Sequence, residues 1–134
     1  MKRLTKITLI GIFILSANAF ANPFSGTWKL VAGEYINHEG VLVNYQDLNL
    51  SSIKVITNRY FSFVSMSGDK FWSSGTGKFS YTNDEYIEVP IYTSYKTASG
   101  KTYTFSYQLL GDIWHNARWE NGLRVEYETW QRIE

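Results

Sequence analysis

Two glutamates near the C-terminus, Glu126 and Glu128, are the residues that could best form a catalytic pair. Side chains two positions apart on a β-strand point to the same face, so both carboxylates would face one side. The acid and the nucleophile of a glycoside hydrolase, however, normally flank the substrate from different elements, about 5–10 Å apart. Glutamates spaced in this way on one strand more commonly form charge ladders with neighbours such as Arg118. We therefore predict no catalytic residue here and do not expect an enzyme.

Histidine and cysteine offer little further chemistry. His38 and His115 are the only histidines and lie far apart in the sequence, and cysteine is absent. Zinc sites usually take three or four His, Cys or carboxylate ligands, so we expect no metal site. His115 alternates with Ile113, Ala117 and Trp119, and we interpret it as a partly buried strand residue rather than a base. No nucleotide fingerprint is present either, and we expect no cofactor.

The charge and aromatic content exclude two classes of protein. The sequence has 13 Lys and Arg against 12 Asp and Glu, a net charge of +1. Nucleic-acid binding depends on Lys and Arg that neutralise phosphates, so we expect no nucleic-acid partner. The aromatic fraction of 17% is too high for a disordered chain.

The first 21 residues have the pattern of a secretory signal peptide. Three basic residues precede an apolar run over 7–15, and Ala19-Phe20-Ala21 fits the small-x-small cleavage pattern. The apolar run is about half of the ~20 residues that span a bilayer, so we expect no stable membrane anchor. We predict a signal peptide over 1–21, a mature chain that starts at Asn22, and a periplasmic or secreted protein.

Alternation of apolar and polar residues with a period of two is common in residues 22–134, and this pattern is typical of β-strands. In Tyr103–Leu109, aromatic and aliphatic residues fall on one face and small polar residues on the other. Asn121-Gly122 is the strongest turn signal, because both residues tolerate the positive φ of a type I′ turn. Pro90 predicts an edge, a bulge or a break in its strand. The predicted strands are 26–35, 40–45, 52–57, 59–66, 70–82, 85–94, 101–110, 112–120 and 123–133.

This succession of strands and tight turns predicts an all-β fold. We favour a single antiparallel up-and-down β-barrel of about eight strands over 22–134, because closure removes the exposed edges of a meander. An open sandwich is the alternative.

The sequence Gly26-Thr27-Trp28 at the start of the first strand resembles the Gly-x-Trp opening of the lipocalin and fatty-acid-binding (calycin) superfamily. In that superfamily the tryptophan plugs one end of the barrel, and a basic residue of the last strand packs across it. Arg132 is the matching residue, and a guanidinium stacks well on an indole. Residues 53–61 also resemble small secreted bacterial lipocalin-like domains. The resemblance implies a lipocalin-like barrel closed by Gly26, Trp28 and Arg132.

Two departures from the fatty-acid-binding pattern bear on the ligand. Only about 15 residues separate the first strand from the next secure one, too few for the helix pair of those proteins. Their Arg-x-Tyr pair, which holds the ligand carboxylate, is replaced by Glu128-Thr129-Trp130. A glutamate repels a carboxylate, so we expect fatty acids to be poor ligands.

The facing of the last strand has two interpretations. Hydrophobicity directs Val125, Tyr127 and Ile133 to the core. The resemblance instead directs Glu128, Trp130 and Arg132 inward. A bulge, or an interior that is partly polar at one end, would reconcile the two.

The aromatic residues predict either a packed core or the walls of a ligand cavity. The interior of an eight-stranded barrel is just wide enough either to be filled by side chains or to hold one small ligand. We predict a binding protein for a small hydrophobic or aromatic molecule. The predicted lining residues are Phe61, Phe63, Tyr103, Phe105, Tyr107, Trp114, Glu128 and Trp130.

A protein-binding module with a filled barrel, such as a periplasmic hydrolase inhibitor, is the alternative function. It would bind through loops or an exposed aromatic patch. The segment Tyr92–Lys101, with Tyr95 and Lys96, is the best candidate for that surface.

Overall fold

The computed structural model describes residues 21–134 and contains nine β-strands. The predicted signal peptide lies, apart from Ala21, outside the described residues. Each predicted strand is present, with ends that differ by at most two residues. The strands are β1 (Gly26–Ile36), β2 (Leu42–Asn44), β3 (Leu50–Ile56), β4 (Tyr60–Ser67), β5 (Lys70–Tyr81), β6 (Glu85–Thr93), β7 (Tyr103–Leu110), β8 (Ile113–Glu120) and β9 (Leu123–Arg132).

The strands form a closed antiparallel barrel with up-and-down topology. Neighbours pair in the order β1-β3-β4-β5-β6-β7-β8-β9, and β9 pairs back with β1. The short β2 adds a ninth strand beside the end of β1. The prediction of an all-β barrel of eight strands is therefore confirmed, and the open sandwich is excluded.

Two local predictions from turn and proline chemistry are also confirmed. Asn121 and Gly122 have φ angles of 51° and 78°, as a type I′ turn between β8 and β9 requires. In the pairing of β5 with β6, Thr76 faces Tyr92 while Gly77 faces Pro90, so one residue of β6 is left over. This irregularity is the bulge expected at the proline, which cannot donate a ladder hydrogen bond.

Trp28 and Arg132 meet at one end of the barrel. Trp28 is fully buried, and its indole Nε1 donates to the carbonyl of Phe24 at 2.8 Å. The Arg132 guanidinium lies 4.2 Å from the Trp28 ring, and it donates to the carbonyls of Pro23 and Ser25. The side chain thus ties the last strand to the segment before β1.

Gly26 is required at the same end by close backbone approach. Its φ is +132°, and a Cβ there would lie 2.4 Å from the carbonyl oxygen of Glu134. Any other residue would be strained and would push the C-terminus away from β1.

Phe24, just before β1, fills the interior of this end. Its ring lies 4.9 Å from Tyr107, 5.0 Å from Tyr86 and 5.1 Å from Trp114, with edge-to-face or tilted geometry. Aromatic pairs of this kind stabilise the fold beyond the area that they bury. One end of the barrel is therefore a packed aromatic core, which we call the closed end.

Candidate functional site

The opposite end of the barrel contains a cavity of about 400 Å³, within the range of small-molecule sites. All eight barrel strands contribute side chains to its walls, and Trp72 and Tyr95 are partly exposed at its rim. Most of the lining surface is apolar and aromatic. The aromatic residues of the lining are Tyr35, Tyr45, Phe63, Trp72, Tyr95, Tyr103, Phe105 and Trp130.

Five of the eight predicted lining residues border this cavity: Phe63, Tyr103, Phe105, Glu128 and Trp130. Phe63, Tyr103 and Phe105 lie on the faces of β4 and β7 that the period-two alternation directed inward, and Glu128 and Trp130 lie on the face of β9 that the resemblance directed inward.

The other three predicted lining residues, Phe61, Tyr107 and Trp114, do not border the cavity. They lie on inward faces but in the closed end, where Phe24 occupies the space between Tyr107 and Trp114. Alternation shows which face of a strand a side chain lies on, but not how deep it lies along the barrel axis. Phe24 precedes β1, so no strand pattern predicted that its ring would fill this end.

The floor of the cavity holds a buried ion pair that sequence reasoning missed. Lys54 and Glu88 are 4% and 6% exposed, and Lys54 Nζ lies 2.9 Å from Glu88 Oε1. The Tyr86 hydroxyl also donates to Glu88 at 3.1 Å. Burial is the largest single effect and acts to lower the pKa of Lys54, but the carboxylates of Glu88, Glu128 and Glu126 together outweigh burial and raise it. Lys54 is therefore a cation, and its charge is already compensated.

Lys54 also contacts aromatic faces. Its Nζ lies 4.8 Å from the Trp130 ring and 5.3 Å from the Trp114 ring. Such cation–π contacts are attractive, and more so when water is excluded. A signal was present in the sequence, because Lys54 is the one charged residue of β3 and stands between Ile53 and Val55.

A second ion pair lies on the wall of the cavity. Arg118 Nε donates to Glu126 Oε2 at 2.9 Å, and Arg118 Nη1 donates to Glu120. Burial and the neighbouring Glu128 carboxylate raise the pKa of Glu126 to about 7, although Arg118 opposes them. The expected charge ladder is present, and it lies inside the barrel.

Glu128 is held by neutral donors. Trp130 Nε1 donates to Glu128 Oε2 at 2.8 Å, and the Tyr45 hydroxyl donates to Glu128 Oε1 at 3.3 Å. Burial and Glu128 itself raise the pKa of the Tyr45 phenol, which therefore stays protonated as a donor. Within residues 21–134, no Lys or Arg forms an ion pair with Glu128.

Glu128 and Trp130 line the cavity, as the resemblance indicated, and Arg132 packs on Trp28 at the closed end. The interpretation from hydrophobicity was wrong for Tyr127, whose hydroxyl lies 2.9 Å from His115 on the outer face, and for Ile133, which is 54% exposed. Val125 is the residue left over at a bulge, because Arg118 faces Glu126 while Trp119 faces Arg124. Hydrophobicity failed here because the barrel interior is partly polar at this end, where Glu126 and Glu128 line it.

His115 lies on the outer face of β8, away from the cavity. Its Nδ1 is 2.9 Å from the Tyr127 hydroxyl and 3.0 Å from Thr129 Oγ1, and the residue is half-buried. Over the described ranges, no three His, Cys, Asp or Glu residues are grouped so as to hold a metal ion.

Asn116, on the inner face of β8, is 1% exposed, and neither polar atom of its amide has a hydrogen-bond partner among the described residues. The same holds for Nε1 of Trp114, two positions earlier. An unpaired buried polar group costs free energy, so this strand carries a local destabilisation.

The segment between β6 and β7 contributes to the rim of the cavity. The Tyr95 ring stacks on Phe63 with centroids 6.4 Å apart, and Thr97 Oγ1 lies 2.9 Å from the Tyr103 hydroxyl. Tyr92 points away from the cavity into solvent and is 76% exposed. Tyr95 thus belongs to the cavity, and Tyr92 to the outer surface.

No protein family, curated protein or solved structure matches this chain. In the part of the chain that the structure describes, no helix is long and apolar enough to cross a membrane.

Proposed function

We propose that the protein binds a small hydrophobic or aromatic molecule inside the barrel. The single observation that carries this proposal is the cavity of about 400 Å³ with eight aromatic residues in its lining. Small-molecule sites are typically concave and apolar, with a few polar groups that fix the orientation of the ligand. Glu128 and the two ion pairs are the charged groups of this site, and Ser52, Ser65 and Ser73 add hydroxyl groups.

We further propose a binding protein rather than an enzyme. Glu88 and Glu126 each form a hydrogen bond with a cationic side chain, and Glu128 accepts from two neutral donors. Burial and Glu128 raise the pKa of Glu126 to about 7, but its carboxylate accepts from Arg118, and we take it as part of the cavity wall rather than as a catalytic acid or base. The alternative of a protein-binding module assumed a filled barrel, and the cavity favours the small molecule.

Export and membership of the lipocalin-like proteins are parts of the same proposal. The pattern of residues 1–21 supports export to the periplasm or the medium. The contact of Arg132 with Trp28 supports a lipocalin-like barrel, because it reproduces the arrangement implied by the Gly-x-Trp resemblance.

The test is a titration with N-phenyl-1-naphthylamine, an uncharged aromatic dye whose fluorescence rises in apolar surroundings. Ser65 is buried and lines the cavity, so Ser65→Phe should fill part of the binding space. Ser62 lies on the same strand but is exposed on the outer face, and Ser62→Phe is the matched control.

Saturable dye binding to the wild type and to Ser62→Phe, with at least tenfold weaker binding to Ser65→Phe, is the expected result. Circular dichroism should show that both variants keep the β-fold. Dye binding that Ser65→Phe leaves intact would place the dye outside the barrel and overturn the proposal, as would the absence of dye binding.

A further inference from the structure

We propose that the molecule bound in the barrel carries an organic ammonium group beside its aromatic part, with Glu128 as its counter-ion. This inference rests on the proposed function and names the chemical class of its ligand. The observations that carry it are the arrangement of charges on the cavity wall and the aromatic faces around them.

The charged side chains that line the cavity do not balance. Three carboxylates, Glu88, Glu126 and Glu128, face two cations, Lys54 and Arg118. Lys54 pairs with Glu88 and Arg118 pairs with Glu126, which leaves Glu128 as the lining carboxylate with no ion pair in contact among the residues described. Lys54 attracts Glu128 as well, but its ammonium group is hydrogen-bonded to Glu88. At pH 7.5, above the pKa of about 7 of Glu126, all three carboxylates are mainly ionised, and a ligand that brings one positive charge would balance the site.

Glu128 is already oriented to receive such a group. Trp130 and Tyr45 each donate to a different oxygen of its carboxylate, which fixes the rotation of the group. A carboxylate oxygen accepts more than one hydrogen bond, so both oxygens retain capacity for an ammonium donor. A hydrogen bond from the ligand ammonium group, in which both partners are charged, would be stronger than the bond from either neutral donor.

The aromatic walls suit a cation as well as an aromatic ring. The two cationic side chains of the site already use them, since Lys54 Nζ lies 4.8 Å from the Trp130 ring and Arg118 lies 5.7 Å from the Tyr103 ring. A ligand ammonium beside Glu128 would be within the same aromatic surroundings, which stabilise a desolvated cation.

The site also discriminates against anions. Glu126 lies about 7 Å along the strand from Glu128, on the same face. Above the pKa of about 7 of Glu126, a ligand carboxylate would therefore meet two like charges. The cations that could compensate it, Lys54 and Arg118, are engaged in their own pairs. A ligand carboxylate would have to break one of these pairs.

The experiment compares three probes of matched shape by isothermal titration calorimetry at pH 7.5. Phenethylamine is the cation, propylbenzene the neutral analogue and 3-phenylpropionate the anion. The purified protein is compared with Glu128→Gln, which removes the charge but retains an oxygen that can accept from Trp130 or Tyr45. Glu85→Gln is the matched control, because Glu85 is exposed at the start of β6 and does not line the cavity.

Phenethylamine should bind at least tenfold more tightly than propylbenzene, and 3-phenylpropionate should bind most weakly. Glu128→Gln should reduce the preference for phenethylamine over 3-phenylpropionate by at least tenfold, whereas Glu85→Gln should preserve it. Near-UV circular dichroism checks that the Glu128→Gln barrel is folded.

The outcomes separate this inference from the proposed function. Propylbenzene binding without a preference for phenethylamine would overturn the inference and leave the aromatic-binding function standing. A preference that Glu128→Gln does not reduce would overturn Glu128 as the counter-ion. Failure of all three probes to bind would count against the proposed function and the inference together.

Discussion

The buried ion pair of Lys54 and Glu88 should have a large and measurable effect on the stability of the fold. Lys54→Met removes the cation but keeps a long unbranched side chain on the cavity floor. In this variant Glu88 would keep the hydrogen bond from the Tyr86 hydroxyl but lose Lys54 Nζ, which lies 2.9 Å away in the wild type. Because Glu88 is only 6% exposed, water could not replace the lost cation. Removing one partner of a buried ion pair typically lowers the free energy of unfolding by about 3–5 kcal/mol, and we expect a loss of this size for Lys54→Met.

The double variant, Lys54→Met with Glu88→Leu, should recover most of this loss. Replacing both partners of a buried pair with apolar groups is often neutral, because no charge is left uncompensated. Glu88→Leu alone should cost less than Lys54→Met alone, since Glu128 also attracts the remaining Lys54 cation. The coupling energy of the cycle should therefore be about 3 kcal/mol.

Equilibrium unfolding in urea, followed by the fluorescence of the five tryptophans, measures these free energies. A loss of about 3–5 kcal/mol is a large part of the unfolding free energy of a typical domain, which is about 5–15 kcal/mol. The single variants should therefore be purified and measured at low temperature, starting from buffer without urea. Single variants that each cost less than about 1 kcal/mol, with additive effects, would refute the reasoning. They would mean that water screens the pair and that the cavity floor is not desolvated.

Three further predictions concern the closed end, β8 and the cavity wall. Trp28→Ala should cost about 3–5 kcal/mol by leaving a void, Arg132→Ala about 0.5–2 kcal/mol, and the two should be non-additive in urea unfolding because they share a contact. Additive losses would mean that the contact contributes nothing. Asn116→Leu should raise the unfolding free energy by about 1 kcal/mol, because it removes an unpaired buried amide; a loss above about 1 kcal/mol would contradict this. The folded state keeps the Glu126 proton up to a pKa of about 7 while the unfolded chain loses it near 4.5, so stability should fall as the pH rises through that window. Glu126→Gln should flatten this fall, and an equally steep fall in that variant would assign it to another group.

The strands and their order were accessible from the sequence because both depend on local chemistry. Period-two alternation marked each strand, Asn121-Gly122 marked a hairpin, and Pro90 marked a bulge. Closure into a barrel followed from the need to pair the edges of a meander.

The polar part of the site was not accessible because it depends on contacts across the barrel. Lys54 and Glu88 lie on β3 and β6, which are not neighbours in the sheet, and no local pattern joins them. Which inward side chains border the cavity likewise depends on Phe24, whose ring fills the closed end from outside any strand.

The most direct test of the central proposal is a ¹H–¹⁵N chemical-shift map recorded while N-phenyl-1-naphthylamine, the uncharged aromatic dye, is added to the protein. A ligand in the cavity should shift the backbone amides of Ser65, Tyr103 and Glu128, which line it on three strands. The amides of Trp28 and Phe24 in the closed end should stay in place. Shifts confined to the outer surface, such as the exposed Tyr92 segment, or no saturable shift at all, would contradict a ligand-binding barrel.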